Sequence, residues 1–318
     1  MNRREIRIIY MGTPDFAVAP LKAMVEGGFQ VVAVVTMPDK PAGRGLKIQA
    51  SAVKKYALEV NIPVLQPEKL KEEGFLNALR SYKADIQVVV AFRMLPQVVW
   101  SMPPMGTFNL HASLLPKYRG AAPIHWAVIH GETETGVTTF FLKQDIDTGD
   151  LLLQERIAIG QDENTGSVHD RLMELGAAVV CKTLDAVLLN QVKPMPQPEG
   201  VFAAAPKLTK ENTKIDWCQS VQQVHNFVRG LSPFPVAWTE MVDSKDVIST
   251  MKIYDAKMEL AEHAYAVGSL IRDGKHGLKV ALKDGFLHIL KLQLAGRKTL
   301  NTGEFLQGMP DIDAFRLK

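Results

Sequence analysis

The chain has 318 residues, 47% of them hydrophobic and 22% charged, with a formal net charge of +3. This length suggests two domains with ample apolar material for their cores. The mild charge does not by itself signal nucleic acid, and Cys181 and Cys218 have neither a disulfide framework nor metal-ligand spacing, so a reducing cytosol and no metal are expected. No apolar run reaches transmembrane length, and the stretch after Asn2-Arg3-Arg4 is too short for a signal sequence, so the expectation is a cytoplasmic chain with no membrane partner.

Ile6–Tyr10 is a short apolar run ending at Gly12-Thr13-Pro14 and reads as the first strand. Helix Phe16–Gly27, strand Val31–Thr36, helices Ser51–Val60 and Glu68–Arg80, strands Ile86–Phe92 and Thr107–Leu110, and helix Ala121–His130 follow. This alternation predicts an α/β fold, a Rossmann-like, mainly parallel sheet with helices on both faces. Ligands of such sheets sit beyond the carboxyl ends of the strands, where Gly12, Arg44, Asn109 and Asp147 fall. Gly12-Thr13-Pro14 lacks the G-x-G-x-x-G pattern, and no acidic residue stands at the expected place after the second strand, which argues against a nicotinamide cofactor. Strands Val137–Leu142 and Leu151–Ile159 flank the Asp147 loop, and helix Ser167–Leu189 has apolar residues at helical spacing.

Residues 191–206 read as a linker, in which Pro194, Pro196 and Pro198 favour an extended, semi-rigid strap. The texture then changes. Helix Ser220–Gly230 is followed by strands Pro235–Met241, Lys252–Ala256, Gly268–Arg272, Gly277–Leu282 and Phe286–Leu292, with hairpin turns at Asp273-Gly274 and Asp284-Gly285. The pattern predicts a smaller C-terminal β-barrel. The expected domains are therefore residues 1–190 and 207–318, joined by 191–206. The basic excess lies in the C-terminal part, about 16 basic against 13 acidic side chains over 206–318 and about 21 against 21 before it.

The candidate site begins at Asn109-Leu110-His111-Ala112-Ser113-Leu114-Leu115-Pro116. In a strand, residues two apart share a face, so Asn109 puts a hydrogen-bond donor beside the imidazole of His111. Asp147, on a second loop, stands to orient His111 or stabilise its charge. An amide, an imidazole and a carboxylate suit acyl transfer to an amine: the amide stabilises an oxyanion, the imidazole moves a proton and the carboxylate holds the imidazole. Arg44, with Lys40 and Lys47, sits in a Gly-Pro-rich loop whose charges suit a phosphate or a base edge.

Asn109–Pro116, Tyr118-Arg119-Gly120-Ala121-Ala122-Pro123 and Asp147-Thr148-Gly149-Asp150 together resemble the signature of the folate-dependent formyltransferases. Met11–Phe16, Pro38–Gly45 and Ile215-Asp216-Trp217 are similar to the members of that family that act on tRNA, and the resemblance runs along nearly the whole chain. It implies transfer of the formyl group of the co-substrate 10-formyltetrahydrofolate to the α-amino group of methionine on initiator tRNA, in support of translation initiation. It further implies that Asn109 and His111 face the formyl oxygen, with Asp147 positioning His111. Ser113, Leu114, Leu115 and Pro116 would form part of the folate wall, Phe92 and Met94 would line the pterin pocket, and Arg44, Lys40 and Lys47 would meet the tRNA acceptor stem. The C-terminal barrel would be of the oligonucleotide-binding type and help hold tRNA. The chain departs from the family at Phe92-Arg93-Met94, one residue shorter than the usual segment, and at Lys143 and Asp145, where relatives often carry an acidic residue and glycine. A formyltransferase acting on an amino sugar nucleotide shares the Asn/His/Asp core. The Pro41–Gly45 loop and the basic-leaning barrel favour tRNA, and the intact Asn109, His111 and Asp147 disfavour a catalytically silent tRNA-binding module.

Overall fold

A computed structural model describes residues 2–42, 47–243 and 245–318. The chain divides into two compact units. The first comprises residues 1–120, 135–157 and 169–204; the second comprises 121–134, 158–168 and 205–318.

In chain order, the main elements of the first unit are β1 (Arg7–Gly12), α1 (Val18–Glu26), β2 (Gln30–Val35), α2 (Ala52–Glu59), β3 (Val64–Leu65), α3 (Glu73–Ser81), β4 (Ile86–Val90) and β5 (Thr107–His111). The next helix, α4 (Pro123–Ile129), belongs to the second unit. Most of β6 (Glu134–Phe141), β7 (Leu151–Ala158) and the long helix α5 (Thr165–Leu188) falls in the first. The seven strands run in the order β7-β6-β5-β4-β1-β2-β3. β1 is parallel to both β2 and β4, β5 is parallel to β4, and β6 is antiparallel to β5. Ile8, Ile9, Tyr10 and Met11 of β1 and every residue of β4 are buried, the signature of strands covered on both faces. Helix α3 turns Phe75, Leu76 and Leu79 inward against Ile9, Met11, Val35 and Val89. Fully burying such side chains contributes about 1.5–3 kcal/mol each. The chain builds outward from β1 in one direction and returns through β4 and β5 in the other, so the carboxyl ends of β1, β4 and β5 flank the point where strand order reverses.

The second unit adds α6 (Val221–Gly230), β8 (Ala237–Val242), β9 (Ile248–Leu260), β10 (Leu270–Asp273), β11 (Gly277–Leu282), β12 (Gly285–Leu294), α7 (Thr302–Gln307) and β13 (Arg316–Leu317). Its sheet has the order β10-β11-β12-β9-β8-β13. A bridge from Ser269 to Arg316, with the Leu317 N–H donating to the Gly268 carbonyl at 2.9 Å, brings the first and last strands together and curls the sheet into a barrel. Helix α6 opens with a capping box between Ser220 and Gln223 and lays Val221, Val224 and Val228 on the barrel core. Gly230 lets α4 approach α6, since a β-carbon there would stand 2.5 Å from Ile129 Cγ1. Trp217 is buried with its indole N–H donating to Thr239 Oγ1 at 2.9 Å.

Several boundaries differ from the sequence-based expectation. Helix α3 starts at Glu73 and not Glu68, because Leu70 is taken into the core and the carbonyls of Pro67 and Glu68 accept from Arg93. Strand β4 ends at Val90, where Ala91 turns with φ +46°. The expected strand Lys252–Ala256 is the middle of a 13-residue strand.

His225 on α6 is 2% exposed, and its Nδ1 has no hydrogen-bond partner among the described residues. Burial, followed by the positive charge of Arg229, holds its pKa below the usual imidazole range, against opposing help from Asp162, Asp255 and the Ala256 backbone. The unfolded chain therefore binds one more proton than the folded one as pH falls below about 6.5. Stability is full above that value and is lost as pH drops towards the depressed folded value, by at most about 1.4 kcal/mol per pH unit for this proton. Denaturant unfolding between pH 7.5 and 5.5 should show this slope, and His225→Gln should flatten it.

Candidate active site

In β5 the period of two buries Phe108 and Leu110 on one face and turns Thr107, Asn109 and His111 to the other. Asn109 is only half-buried, whereas His111 is 6% exposed. The chain leaves β5 through a turn pinned by β6 and β7. Thr138 Oγ1 donates to the Ser113 carbonyl at 2.6 Å and accepts from the Leu115 N–H at 3.2 Å, while Gln154 Nε2 donates to the Leu115 carbonyl at 2.8 Å. The Ser113 hydroxyl donates to the Lys117 carbonyl at 2.7 Å. Ser113 and Leu115 are buried, Leu115 against Phe140 and Leu151, so Leu114 and Pro116 carry the turn's partly exposed surface.

Beyond the turn, Tyr118 takes φ +62° and its carbonyl accepts from His111 Nε2 at 2.8 Å. A carbonyl can only accept, so Nε2 carries the proton and Nδ1 presents its lone pair. Nδ1 faces Asp147 Oδ2 at 3.8 Å, an ion-pair distance when the ring is protonated and too long for a direct hydrogen bond. Asp147 lies on the β6–β7 hairpin loop with φ +54°, and its Oδ2 accepts from the Gly120 N–H at 3.0 Å. Gly149 closes that loop where only glycine fits, since a β-carbon would sit 1.5 Å from the Phe141 carbonyl oxygen. Lys143 pairs with Asp150 at 2.7 Å across the loop, which accounts for the basic residue there.

Three further groups join the site that sequence reasoning missed. The Gly120 N–H holds Asp147, and Arg119 donates to Gln197, which in turn donates to the Asp147 and Gly149 carbonyls. Gln197 comes from the proline-rich strap, and no periodic signal marks a long-range side-chain contact of this kind.

The two expected pterin residues part company. Met94 is 71% exposed and lines an open groove of about 1010 Å³ with Arg93, Pro96, Gln97, Trp100 and others, including Gln144 from the loop that carries Asp147. Phe92 packs against the core of the first unit. Arg93, within reach of the Phe92 ring at 5.8 Å, donates to the Pro67 and Glu68 carbonyls, and burial lowers its pKa. Of the expected tRNA residues, Arg44 lies outside the described residues. Strands Lys40–Ala42 and Lys47–Gln49 form the hairpin on either side of it, with Lys40 exposed. Its root is fixed where Lys54 Nζ donates to Asp39 at 2.6 Å and to Gln66 at 2.7 Å; the Lys54 bond, then the Gln66 bond, lowers the Asp39 pKa. Among the described residues no group of three or more His, Cys, Asp or Glu side chains is placed to hold a metal ion, and no helix is long and apolar enough to cross a membrane.

This strand-end arrangement coincides with two matching family models, "Formyl transferase" over residues 4–184 and "Formyl transferase, C-terminal domain" over 207–310, and the chain belongs to the formyl transferase family. Among curated relatives, it is 56% identical to a methionyl-tRNA formyltransferase of Bacteroides fragilis, covering 100% of this chain and 99% of the relative. It is 51% identical to a methionyl-tRNA formyltransferase of Flavobacterium johnsoniae, covering 96% of each. Among solved structures, an N-formyltransferase from Helicobacter canadensis in complex with folinic acid and dTDP-3-aminofucose shares the fold, with a TM-score of 0.64, 19% identity, and coverage of 89% of this chain and 98% of that one. HypX from Aquifex aeolicus in complex with tetrahydrofolic acid has a TM-score of 0.62 and 19% identity over 95% of this chain and 47% of that one.

Proposed function

We propose that the chain transfers the formyl group of 10-formyltetrahydrofolate to the α-amino group of methionine carried by initiator tRNA, in the bacterial cytoplasm. The observation that carries this reading is the end-to-end match, at 56% identity, to a methionyl-tRNA formyltransferase. The geometry supplies the chemistry. The neutral amine attacks the formyl carbon, and the half-buried Asn109 amide donates to the oxyanion that forms. His111, with its Nδ1 lone pair beside the Asp147 carboxylate, takes the proton lost by the attacking nitrogen, and Asp147 stabilises the imidazolium. The C–N bond to folate then breaks, the carbonyl reforms, and the leaving folate nitrogen takes a proton. Leu114 and Pro116 offer the accessible part of the folate wall, with Ser113 and Leu115 behind them as its support. Met94 lines the approach and Phe92 backs it.

For the tRNA, we assign Arg44, Lys40 and Lys47, with further contacts from residues 207–318. In that second unit Lys210 places its ammonium group 5.4 Å from the Trp238 ring, and Lys214, paired with Glu240 at 2.8 Å, lies 5.5 Å from the same ring, a charged and aromatic surface suited to a polynucleotide. Incubating the purified chain with 10-formyltetrahydrofolate and either charged initiator tRNA or amino sugar nucleotides tests the reading. Formylmethionyl-tRNA is the expected product, and formylation of the sugar nucleotides alone would overturn it. Within the same assay, Arg44→Ala should raise KM for Met-tRNA by roughly tenfold, the loss of one or two charge-assisted contacts. Folate binding, followed by fluorescence, should change little. Equal losses for both ligands would remove Arg44 from the tRNA site.

A further inference from the structure

Gln197 lies in the strap, flanked by Pro196 and Pro198, 50 residues from Asp147 in sequence and in the same unit. Its Nε2 donates to the Asp147 carbonyl at 2.8 Å and to the Gly149 carbonyl at 2.9 Å. Its Oε1 accepts from Arg119 Nε at 3.1 Å and from Nη2 at 2.5 Å. A glutamine amide offers two donors and two acceptor lone pairs, so every hydrogen-bonding position of this side chain is used. Arg119 stands between the two residues that define the site's other edge: Tyr118, whose carbonyl accepts from His111, and Gly120, whose N–H donates to Asp147 Oδ2. Gln197 therefore closes a circuit that runs from His111 through Tyr118, Arg119 and Gln197 to the backbone of Asp147, and back through its carboxylate.

Asp147 needs such support. Its φ of +54° is one that residues with a β-carbon adopt seldom and keep only when their surroundings hold them. Its Oδ2 stands 3.8 Å from His111 Nδ1, so the position of the loop sets the strength of that pair. The neighbouring prolines have no N–H to offer the loop, so the glutamine side chain supplies the donors at this point of the strap.

We propose that Gln197 is a positioning residue for formyl transfer: it fixes the Asp147–Gly149 backbone against the Tyr118–Gly120 turn and so sets where the Asp147 carboxylate stands relative to His111. The inference rests on the roles given above to His111 and Asp147. Two substitutions separate it from a plain strap anchor. Gln197→Met keeps the length and removes all four bonds. Gln197→Glu keeps, and charges, the partner of Arg119, but it turns oxygens towards two carbonyls and loses both donors.

The experiment compares the full-length wild type with Gln197→Met, Gln197→Glu, Asp147→Asn and the double variant Asp147→Asn/Gln197→Met, using 10-formyltetrahydrofolate and Met-tRNA. Both single changes at Gln197 should lower kcat by roughly 10–100-fold, the scale of lost support behind a reacting group, and leave KM for either substrate within about threefold. Both should displace the pH profile of kcat in the same direction as Asp147→Asn. In the double variant the losses should not multiply, because both changes act on one carboxylate. Normal kcat in Gln197→Glu would overturn the inference and leave an anchor for Arg119; multiplying losses in the double variant would overturn it as well. Should Gln197→Met fail to fold, Gln197→Glu, with its charge opposite Arg119, carries the test by itself. An inactive wild type would remove the reading of the function, whereas an active wild type with unaffected Gln197 variants would remove this inference alone.

Discussion

Replacing His111 by alanine is expected to lower kcat for formyl transfer by roughly two to four orders of magnitude while the chain stays folded, the range for losing a general acid–base group. Nδ1 is the ring atom with a free lone pair, because Nε2 is committed to the Tyr118 carbonyl. Asp147, beside the ring, does not replace it as a base, because its Oδ2 is already held by the Gly120 N–H. The fold cost is separate and smaller. Alanine removes the buried hydrogen bond from Nε2 to the Tyr118 carbonyl, worth about 0.5–1.5 kcal/mol. His111→Gln tests the distinction, since its amide can still donate to that carbonyl. It should recover most of the thermal stability lost in His111→Ala and none of the turnover. Full turnover in folded His111→Ala would displace the reaction from this strand end. Asn109→Ala is expected to cost about 10²–10³ in kcat, the scale of one lost oxyanion donor.

How much of this was legible beforehand depends on the kind of contact. β1 and β4 could be read because strands covered on both faces are continuous apolar runs, and Ile8–Met11 and Ile86–Val90 are such runs. Asn109 and His111 could be placed together because the period of a strand is two. Asp147 could be read as a carboxylate on a loop after a second strand-like run, and its Oδ2 stands 3.8 Å from His111 Nδ1. The barrel was legible in outline, but its long strand was not. Burial along β9 falls at Met251, Ile253 and then Ala256, a step of three where the register against β12 shifts, and that bulge breaks the alternation from which the strand would be read. The last elements, α7 and β13, were missed for a different reason: a strand of two residues has no periodicity, and Arg316–Leu317 is a strand only because β8 and Ser269 lie beside it. Gln197 was illegible for the same physical reason. Its partners are backbone carbonyls of a distant loop and one guanidinium, and such contacts leave no trace in local composition.

Asp147→Asn is expected to lower kcat by about 10²–10³ with the site geometry intact. The substitution is nearly isosteric, and the amide oxygen can still accept from the Gly120 N–H, so the loop keeps its anchor. What disappears is the charge 3.8 Å from Nδ1. At an effective dielectric of about 20, a unit pair at that distance is worth about 4 kcal/mol, an upper bound on the help given to an imidazolium. In a serine-protease triad the corresponding change costs about 10⁴ because it also leaves the histidine in the wrong tautomer. Here the tautomer is set from the other nitrogen, by the Tyr118 carbonyl, and that bond does not depend on Asp147. The loss should therefore stay below the protease value and consist of charge alone. Single-turnover kinetics, with folate binding as the control for an intact site, would measure the loss. A loss of 10⁴ or more with folate binding retained would mean that Asp147 does more than supply charge.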